Sequence, residues 1–71
     1  MEVILYTTHC PKCKVLEKKL QSKKIQYEEV TNTNIMISKG FHETPMLEVN
    51  GNIMNFKMAN TWINEQQEVK Y

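Results

Sequence analysis

The sequence predicts a small α/β domain whose elements follow the order β-α-β-α-β-β-α around a four-stranded mixed sheet. Three observations predict it. The apolar run Val3-Ile4-Leu5-Tyr6 precedes Pro11, which opens a lysine-rich stretch with helical spacing of its apolar residues. A second strand-like run follows this helix, and Asn50-Gly51 separates two further short ones. We expect a single domain over residues 1–71. A chain of this size buries only about 60% of the surface that its unfolded form exposes, so it is too small to form a second domain.

The first half of the chain is predicted to form a β-α-β unit. Residues 2–7 alternate too little for a strand with one exposed side, so we expect a buried central strand. A helix is predicted over residues 11–23, because proline suits the first helical position. Its apolar stripe consists of Cys13, Val15, Leu16 and Leu20. Residues 25–30 form a second strand, and the strand-helix-strand order implies a parallel pair with a right-handed crossover.

The second half is predicted to contain a short helix, a hairpin and a closing helix. Residues 31–39 form the short helix, which Gly40 ends. Asn50-Gly51 joins the strands 46–49 and 52–55 through a type I′ turn. The closing helix runs over residues 57–67. Its inward-facing residues are Met58, Trp62 and Ile63.

Composition favours a cytoplasmic protein. The chain is 41% hydrophobic and 24% charged, as in ordinary globular domains. No apolar run approaches the roughly 20 residues that a membrane helix needs, and no basic start precedes a long apolar stretch as in a secretory signal. A structural disulfide is hard to maintain in the reducing cytoplasm. The two cysteines are therefore expected to serve redox chemistry or metal binding.

The net charge of +1 gives no reason to expect a nucleic acid partner. All nine basic residues are lysines, and six of them follow Cys10 closely: Lys12, Lys14, Lys18, Lys19, Lys23 and Lys24. Two interpretations stay open. These lysines form a solvated helix face, or Lys12 and Lys14 create a positive field around a thiolate.

The two cysteines lie in Cys10-Pro11-Lys12-Cys13, the cysteine motif, between the first strand and the first helix. Two thiols at this spacing can close into a ring and reopen, which suits electron transfer between dithiols and disulfides. A helix N-terminus presents unpaired N–H groups and partial positive charge, and these favour a thiolate over a thiol. Cys10 is therefore the predicted nucleophile.

Together with two downstream features, the cysteine motif resembles the glutaredoxin family of the thioredoxin-like fold. These features are Thr44-Pro45, just before the third strand, and the hairpin at Asn50-Gly51. The resemblance covers nearly the whole chain. It implies the minimal glutaredoxin type of the fold, and a cis peptide bond at Pro45 that faces the cysteine pair.

The resemblance implies a dithiol thiol–disulfide oxidoreductase. In this activity Cys10 attacks a disulfide, and Cys13 resolves the resulting mixed disulfide. Pro11 fixes the start of the helix. Thr44 offers its backbone groups to a bound peptide or to glutathione. No tightly bound cofactor is implied, and glutathione is a candidate co-substrate.

Two positions depart from the glutathione-binding surroundings of the family. Lys12 stands where many relatives have an aromatic residue. Before the last helix, Asn55-Phe56 keeps only the phenylalanine of the family's Gly-Phe pair. The reductant therefore stays open between glutathione and a system of the thioredoxin reductase type. The latter reduces small redoxins that donate electrons to ribonucleotide reductase. We expect a monomer whose partners are disulfide-containing proteins and one of these reductants, without a nucleic acid or membrane partner.

A second class of function stays open, in which the cysteine pair carries an iron–sulfur cluster or a metal. Some glutaredoxins bind a cluster through their first cysteine and glutathione. His9 and His42 add nitrogen ligands, but their spacing from the cysteines matches no common zinc finger, and we expect no metal. His9 is also a candidate to stabilise the thiolate, and His42 to touch a partner. A disulfide that only staples a binding module is disfavoured, because the loop it closes is very short.

Overall fold

A computed structural model describes residues 2–66 of the chain. Its seven elements confirm the predicted order: β1 (Val3–Tyr6), α1 (Pro11–Ser22), β2 (Glu28–Val30), α2 (Thr33–Ser38), β3 (Met46–Val49), β4 (Asn52–Met54) and α3 (Phe56–Glu65). The predicted end of the closing helix at residue 67 lies outside the described residues. Among residues 2–66, no helix combines the length and the apolar character needed to cross a membrane.

The four strands form one mixed sheet with the order β2-β1-β3-β4. β1 pairs in parallel with β2 and antiparallel with β3, and β4 pairs antiparallel with β3. The prediction of a central first strand is therefore confirmed. Because β1 is hydrogen-bonded along both edges, the loop that leaves its end starts from a fixed position.

The hydrophobic core lies between one face of the sheet and the helices α1 and α3. Side chains alternate along a strand, so Val3 and Leu5 of β1 point to the same face. Their partners on β3 are Val49 and Leu47. The buried core consists of Val3, Leu5, Leu16, Leu20, Leu47, Val49, Ala59 and Ile63. Tyr6 points to the opposite face, where its ring meets that of Phe41 edge-on at 4.9 Å.

Helix α1 confirms most of the predicted apolar stripe. Three of the four stripe residues are buried: Cys13, Leu16 and Leu20. The prediction for Val15 is wrong, because its side chain is 42% exposed. Successive residues are rotated by about 100° around a helix, so Val15 points away from the side that its neighbour Leu16 occupies.

Helix α3 also differs from the prediction at one position. Ile63 is buried and Trp62 packs half-buried against the core, as predicted. Met58 is 54% exposed, so its predicted inward position is wrong. Ala59 takes the buried place instead. The hydrophobic pattern favours the larger side chain, whereas the close approach of α3 to α1 and β3 suits the smaller one.

Two elements begin two or more residues later than predicted. β2 begins at residue 28, and Ile25 and Tyr27 pack against the core before the strand starts. α2 begins at residue 33, because the side chain of Asn32 accepts the N–H groups of residues 34 and 35 and caps the helix. Gly40 follows α2 with a φ of 81°, which fits the predicted glycine stop.

The hairpin between β3 and β4 turns at Asn50-Gly51, as predicted. Asn50 has a φ of 50° and Gly51 a φ of 88°, and a type I′ turn requires this left-handed conformation at both positions. Asn50 also contacts the start of β1. Its Oδ1 accepts the N–H of Glu2 at 2.9 Å, and its N–H donates to the carbonyl of Glu2 at 2.9 Å. The turn is therefore tied to the central strand.

Truncation of the α1 stripe tests this assignment of buried and exposed positions. We expect Leu16→Ala to lower the free energy of unfolding by about 2–5 kcal/mol, because it leaves a cavity in the core. Val15→Ala is the matched control on the exposed side, and we expect a change of about 0.5 kcal/mol or less. Denaturant unfolding of the reduced proteins measures both values. Equal losses in the two variants would contradict the orientation of α1.

Candidate active site

The two cysteines lie where the central strand passes into α1. Cys10 is the N-cap of the helix, and its Sγ accepts the backbone N–H of Cys13 at 3.2 Å. The contact satisfies one of the N–H groups that a helix start leaves without an intrahelical partner. The Cys10 thiol also donates to Cys13 Sγ, at a sulfur–sulfur distance of 2.7 Å. Both cysteines are free thiols, Cys10 partly exposed and Cys13 fully buried, so Cys10 presents the accessible sulfur.

Two opposing effects set the pKa of Cys13. Burial raises the pKa, since a thiolate loses its hydration in the protein interior. Hydrogen bonds outweigh burial and lower the pKa from 9.0 to about 6. They come first from the Cys10 thiol, then from the side chain of Thr7 and from the backbone of Thr8 and Cys10. Cys13 thus loses its proton readily, and its sulfur accepts a hydrogen bond from the Cys10 thiol.

The loop of residues 7–9 is fastened by a buried hydroxyl group. Thr7 is fully buried, and its Oγ1 accepts the backbone N–H of His9 at 3.0 Å. The same hydroxyl donates to Glu17 Oε2 on α1 at 2.9 Å. His9 has a φ of 60°, in the left-handed region that costs a non-glycine residue about 1–3 kcal/mol. The contacts of Thr7 and of the His9 ring offset this cost and fix the residue that precedes Cys10.

The imidazole ring of His9 bridges two carboxylates. Its Nδ1 lies 3.2 Å from Glu17 Oε2, and its Nε2 lies 3.3 Å from Glu29 Oε1 on β2. One ligand atom from each of these three residues lies within 4.8 Å of the others, a separation that a cation could bridge. However, the two ring nitrogens face different carboxylates, so the ring itself fills the space between them. This geometry is that of a ring held between two carboxylates rather than of a cation site.

Thr44 and Pro45 follow the helix α2, and Thr44 is linked to the cysteine pair by a neighbouring hydroxyl. The peptide bond between them is cis, as the resemblance implies, and Pro45 is buried. Thr44 Oγ1 hydrogen-bonds Thr8 Oγ1 at 3.0 Å, and Thr8 Oγ1 in turn lies 3.9 Å from Cys13 Sγ. The structure therefore connects the predicted residue Thr44 to Cys13 through the hydroxyl of Thr8, although the two lie far apart in the chain.

Lys12 and Phe56, two further predicted site residues, contact each other. Lys12 Nζ lies 5.7 Å from the centroid of the Phe56 ring, within the range of a cation–π contact. Lys12 is exposed and Phe56 is half-buried. The contact joins the first turn of α1 to the first residue of α3. Pro11 occupies the first helical position, as predicted.

A cavity of about 290 Å³ lies between α2 and the loop that leads to the cysteine pair. Thr8 and Thr44 form its edge, and Met36 and Phe41 contribute apolar wall. His42 also lines the cavity, and its side chain is exposed. Its contact with a partner stays a prediction. A larger cavity of about 520 Å³ runs along α3 beside Trp62, and its lining includes none of the predicted site residues.

The sequence analysis missed three polar residues of the site: Thr7, Thr8 and Glu17. Glu17 follows Cys13 by four residues on the helix, a spacing that places two side chains on the same face. That spacing is the signal by which the sequence could have placed Glu17 near the cysteines. It is weak because Glu17 lies in a lysine-rich stretch of the kind that usually forms a solvated helix face. The two threonines carry no motif of their own.

Comparison with known proteins yields no relative. No family model matches the chain, and neither a curated protein nor a solved structure matches it. The functional interpretation therefore depends on the geometry of the site and on the motifs of the sequence.

A pH titration of the thiolate absorbance in the reduced protein tests the pKa assignment. We expect one transition centred near pH 6, from Cys13 in the coupled pair. Cys13→Ser should remove it. Cys10→Ala should move it to higher pH, because the strongest hydrogen bond that lowers the pKa is lost while burial remains. An unchanged transition in Cys10→Ala would contradict the assignment.

The same pKa makes the stability of the reduced protein depend on pH. The pKa of Cys13 in the folded state, about 6, lies below its ordinary value of 9.0. The unfolded chain therefore binds more protons between these pH values, and stability rises with pH across the window by up to about 1.4 kcal/mol per unit. Stability is lost as the pH falls through 6. Denaturant unfolding at several pH values measures the slope, which should be absent in Cys13→Ser.

Proposed function

We propose that this protein is a dithiol thiol–disulfide oxidoreductase with a thioredoxin-like fold of the minimal glutaredoxin type. The observation that carries the proposal is the asymmetric thiol pair at the start of α1. One sulfur is accessible and caps the helix, and the second lies 2.7 Å behind it, fully buried. The element order, the mixed sheet and the cis Thr44–Pro45 bond beside the pair support the same interpretation.

The first step of the reaction uses the proton between the two sulfurs. As Cys10 attacks one sulfur of a target disulfide, its proton passes to Cys13, which accepts it across the hydrogen bond. A bond forms between Cys10 Sγ and the attacked sulfur, and the other sulfur of the target leaves as a thiolate with the bonding electron pair. The N–H of Cys13 and the start of α1 stabilise the negative charge that develops on Cys10 Sγ as its proton passes to Cys13.

The second step oxidises the cysteine pair and completes the reduction of the target. Cys13 loses its proton and attacks Cys10 Sγ, which forms the Cys10–Cys13 disulfide and releases the second target thiolate. Both sulfurs belong to the same chain and lie close together, so this step is intramolecular and fast. Burial of Cys13 keeps it from attacking targets directly. The more exposed Cys10 therefore attacks the target, and the buried Cys13 resolves the mixed disulfide.

The surroundings of Cys10 are the proposed binding surface for the target. Thr44 lies beside the pair and has backbone groups suited to a short strand addition. The contact between Lys12 and Phe56, which joins the first turn of α1 to α3, supports their assignment to the remaining part of this surface. In this proposal the protein acts in the cytoplasm as a monomer, and glutathione or a thioredoxin-reductase-type enzyme returns it to the dithiol. Ribonucleotide reductase is a candidate target.

The alternative of a metal or iron–sulfur carrier requires thiolate ligands that a metal can reach. Cys13 is fully buried between α1 and the sheet, which favours the oxidoreductase over a carrier that uses both cysteines. Iron content and colour of protein purified without oxygen distinguish the two functions. Stoichiometric iron bound through Cys10 and Cys13 would support the carrier instead.

Trapping of the mixed disulfide tests the proposed roles. Cys13→Ser cannot resolve the intermediate, so we expect it to accumulate a mixed disulfide through Cys10 with a disulfide-containing protein. Cys10→Ser is the matched control, and we expect it to trap no target, because its remaining thiol is buried. Mass spectrometry under non-reducing conditions measures both. Equal trapping by the two variants would refute the assignment of roles.

Turnover with a reductant tests the activity of the unaltered protein. With NADPH we expect catalytic reduction of a disulfide when either glutathione and its reductase or thioredoxin reductase is added, and the active system identifies the reductant. NADPH oxidation is followed by absorbance, and Cys10→Ser should abolish it. No turnover with either system would contradict the proposed function.

A further inference from the structure

The cavity of about 520 Å³ along α3, here called the α3 groove, has no part in the proposed reaction, because its lining includes neither cysteine. Met54 of β4 and five residues of α3 line it. β4 is the end strand of the sheet, so no strand among residues 2–66 covers its outer side. Met58 in this groove is 54% exposed and Trp62 is half-buried. A partner that covers these two side chains removes apolar surface from water, which favours association.

The residues that α3 contributes form one face of the helix. They occupy positions 57, 58, 61, 62 and 65, and spacings of four residues place side chains on the same side of a helix. Thr61 lies at the middle of this face, and a small side chain there permits the close approach of a second helix. Lys57 and Glu65 lie at the two ends. Both are exposed, and neither has an ion-pair partner among residues 2–66.

We propose that the α3 groove binds a second copy of this chain, with the two α3 helices packed antiparallel about Thr61. Lys57 and Glu65 each lie four residues from Thr61. Antiparallel packing therefore places Lys57 of each copy opposite Glu65 of the other, and forms the same ion pair twice. A two-fold interface needs a surface that is complementary to itself, and this distribution of charge meets that requirement. Met58 and Trp62 of the two copies then cover each other.

The two edges of the sheet differ in a way that favours approach from the α3 side. At the edge formed by β2, Glu28 and Glu29 are exposed. Charged side chains on an edge strand oppose pairing with another chain, and two-fold pairing through β2 brings like charges together. β4, by contrast, consists of Asn52, Ile53 and Met54, without a charge or a proline. The edge next to the α3 groove therefore lacks the protection that the opposite edge has.

This inference goes beyond the proposed function and does not depend on it. The groove leaves both cysteines outside the interface, so each copy keeps its own thiol pair available to a target. The reaction still needs one copy only. The monomer expected from the sequence is then the dissociated form, which prevails at low protein concentration.

Sedimentation velocity of the reduced protein over a wide range of concentration tests the inference. We expect the mass to rise from that of one chain toward that of two. Trp62 is the single tryptophan of the chain and lines the groove, so its fluorescence reports on this surface alone. Its emission should shift to shorter wavelength along the same concentration curve, because the second copy removes the indole ring from water.

Reversal of charge tests the antiparallel arrangement. Lys57→Glu and Glu65→Lys each place like charges opposite each other at both ends, and each should weaken association by about tenfold or more. The double variant restores opposite charges and should associate as the unaltered protein does. A mixture of the two single variants should form a mixed pair, because every contact then joins a lysine to a glutamate. Lys18→Glu is the matched control, with the same change of charge at an exposed position of α1, and it should associate normally.

Circular dichroism checks that each variant is folded. Sedimentation of the unaltered protein as single copies at every concentration would overturn the inference, and would leave the groove to a different protein or to residues 67–71. Normal association of both single variants, or failure of the double variant and of the mixture to associate, would overturn it as well. None of these results bears on the proposed function, which the trapping and turnover experiments test.

Discussion

The hydrogen bond from the backbone N–H of Cys13 to the sulfur of Cys10 is the contact on which the rest of the site depends. It caps α1 and so fixes where the helix starts. Because α1 starts there, Cys13 falls on the buried stripe of the helix while Cys10 stays at its partly exposed end. A single capping contact thus produces one accessible and one protected sulfur, and the chemical asymmetry of the pair follows from it.

The cap has this effect because the fold holds both the loop that carries Cys10 and the helix α1 in place. Strand β1 is paired along both edges, so the loop that leads to Cys10 leaves the sheet from a constant position. Thr7 then anchors that loop to α1 through Glu17, and Thr8 anchors it to Thr44. Hydrogen bonding outweighs burial at Cys13 because the Cys10 thiol and groups of the anchored loop act on its sulfur. The site is therefore a product of the whole β1–α1 connection.

Local signals were sufficient for most of the fold. Pro11 after an apolar strand, Asn50-Gly51 between short strands and Gly40 after a helix each act within a few residues, and each element follows the predicted order. The errors came from side-chain direction. Val15 and Met58 are apolar residues on helices whose buried faces lie one position further along the chain. The hydrophobic pattern alone does not show which of two adjacent apolar residues is buried, because that depends on how the helix packs against the neighbouring elements.

The sequence by itself determined the element order, the helix start at Cys10 and Pro11, and the spacing of the two thiols, since capping and turn formation depend on the backbone of adjacent residues. Only the tertiary structure decided that Glu17 and Thr44 meet the loop threonines that precede the cysteines. These contacts join distant parts of the chain, as at Thr8 and Thr44, which are 36 positions apart. Such contacts form when β1, β3 and α1 pack together, and packing of this kind leaves no local mark in the sequence.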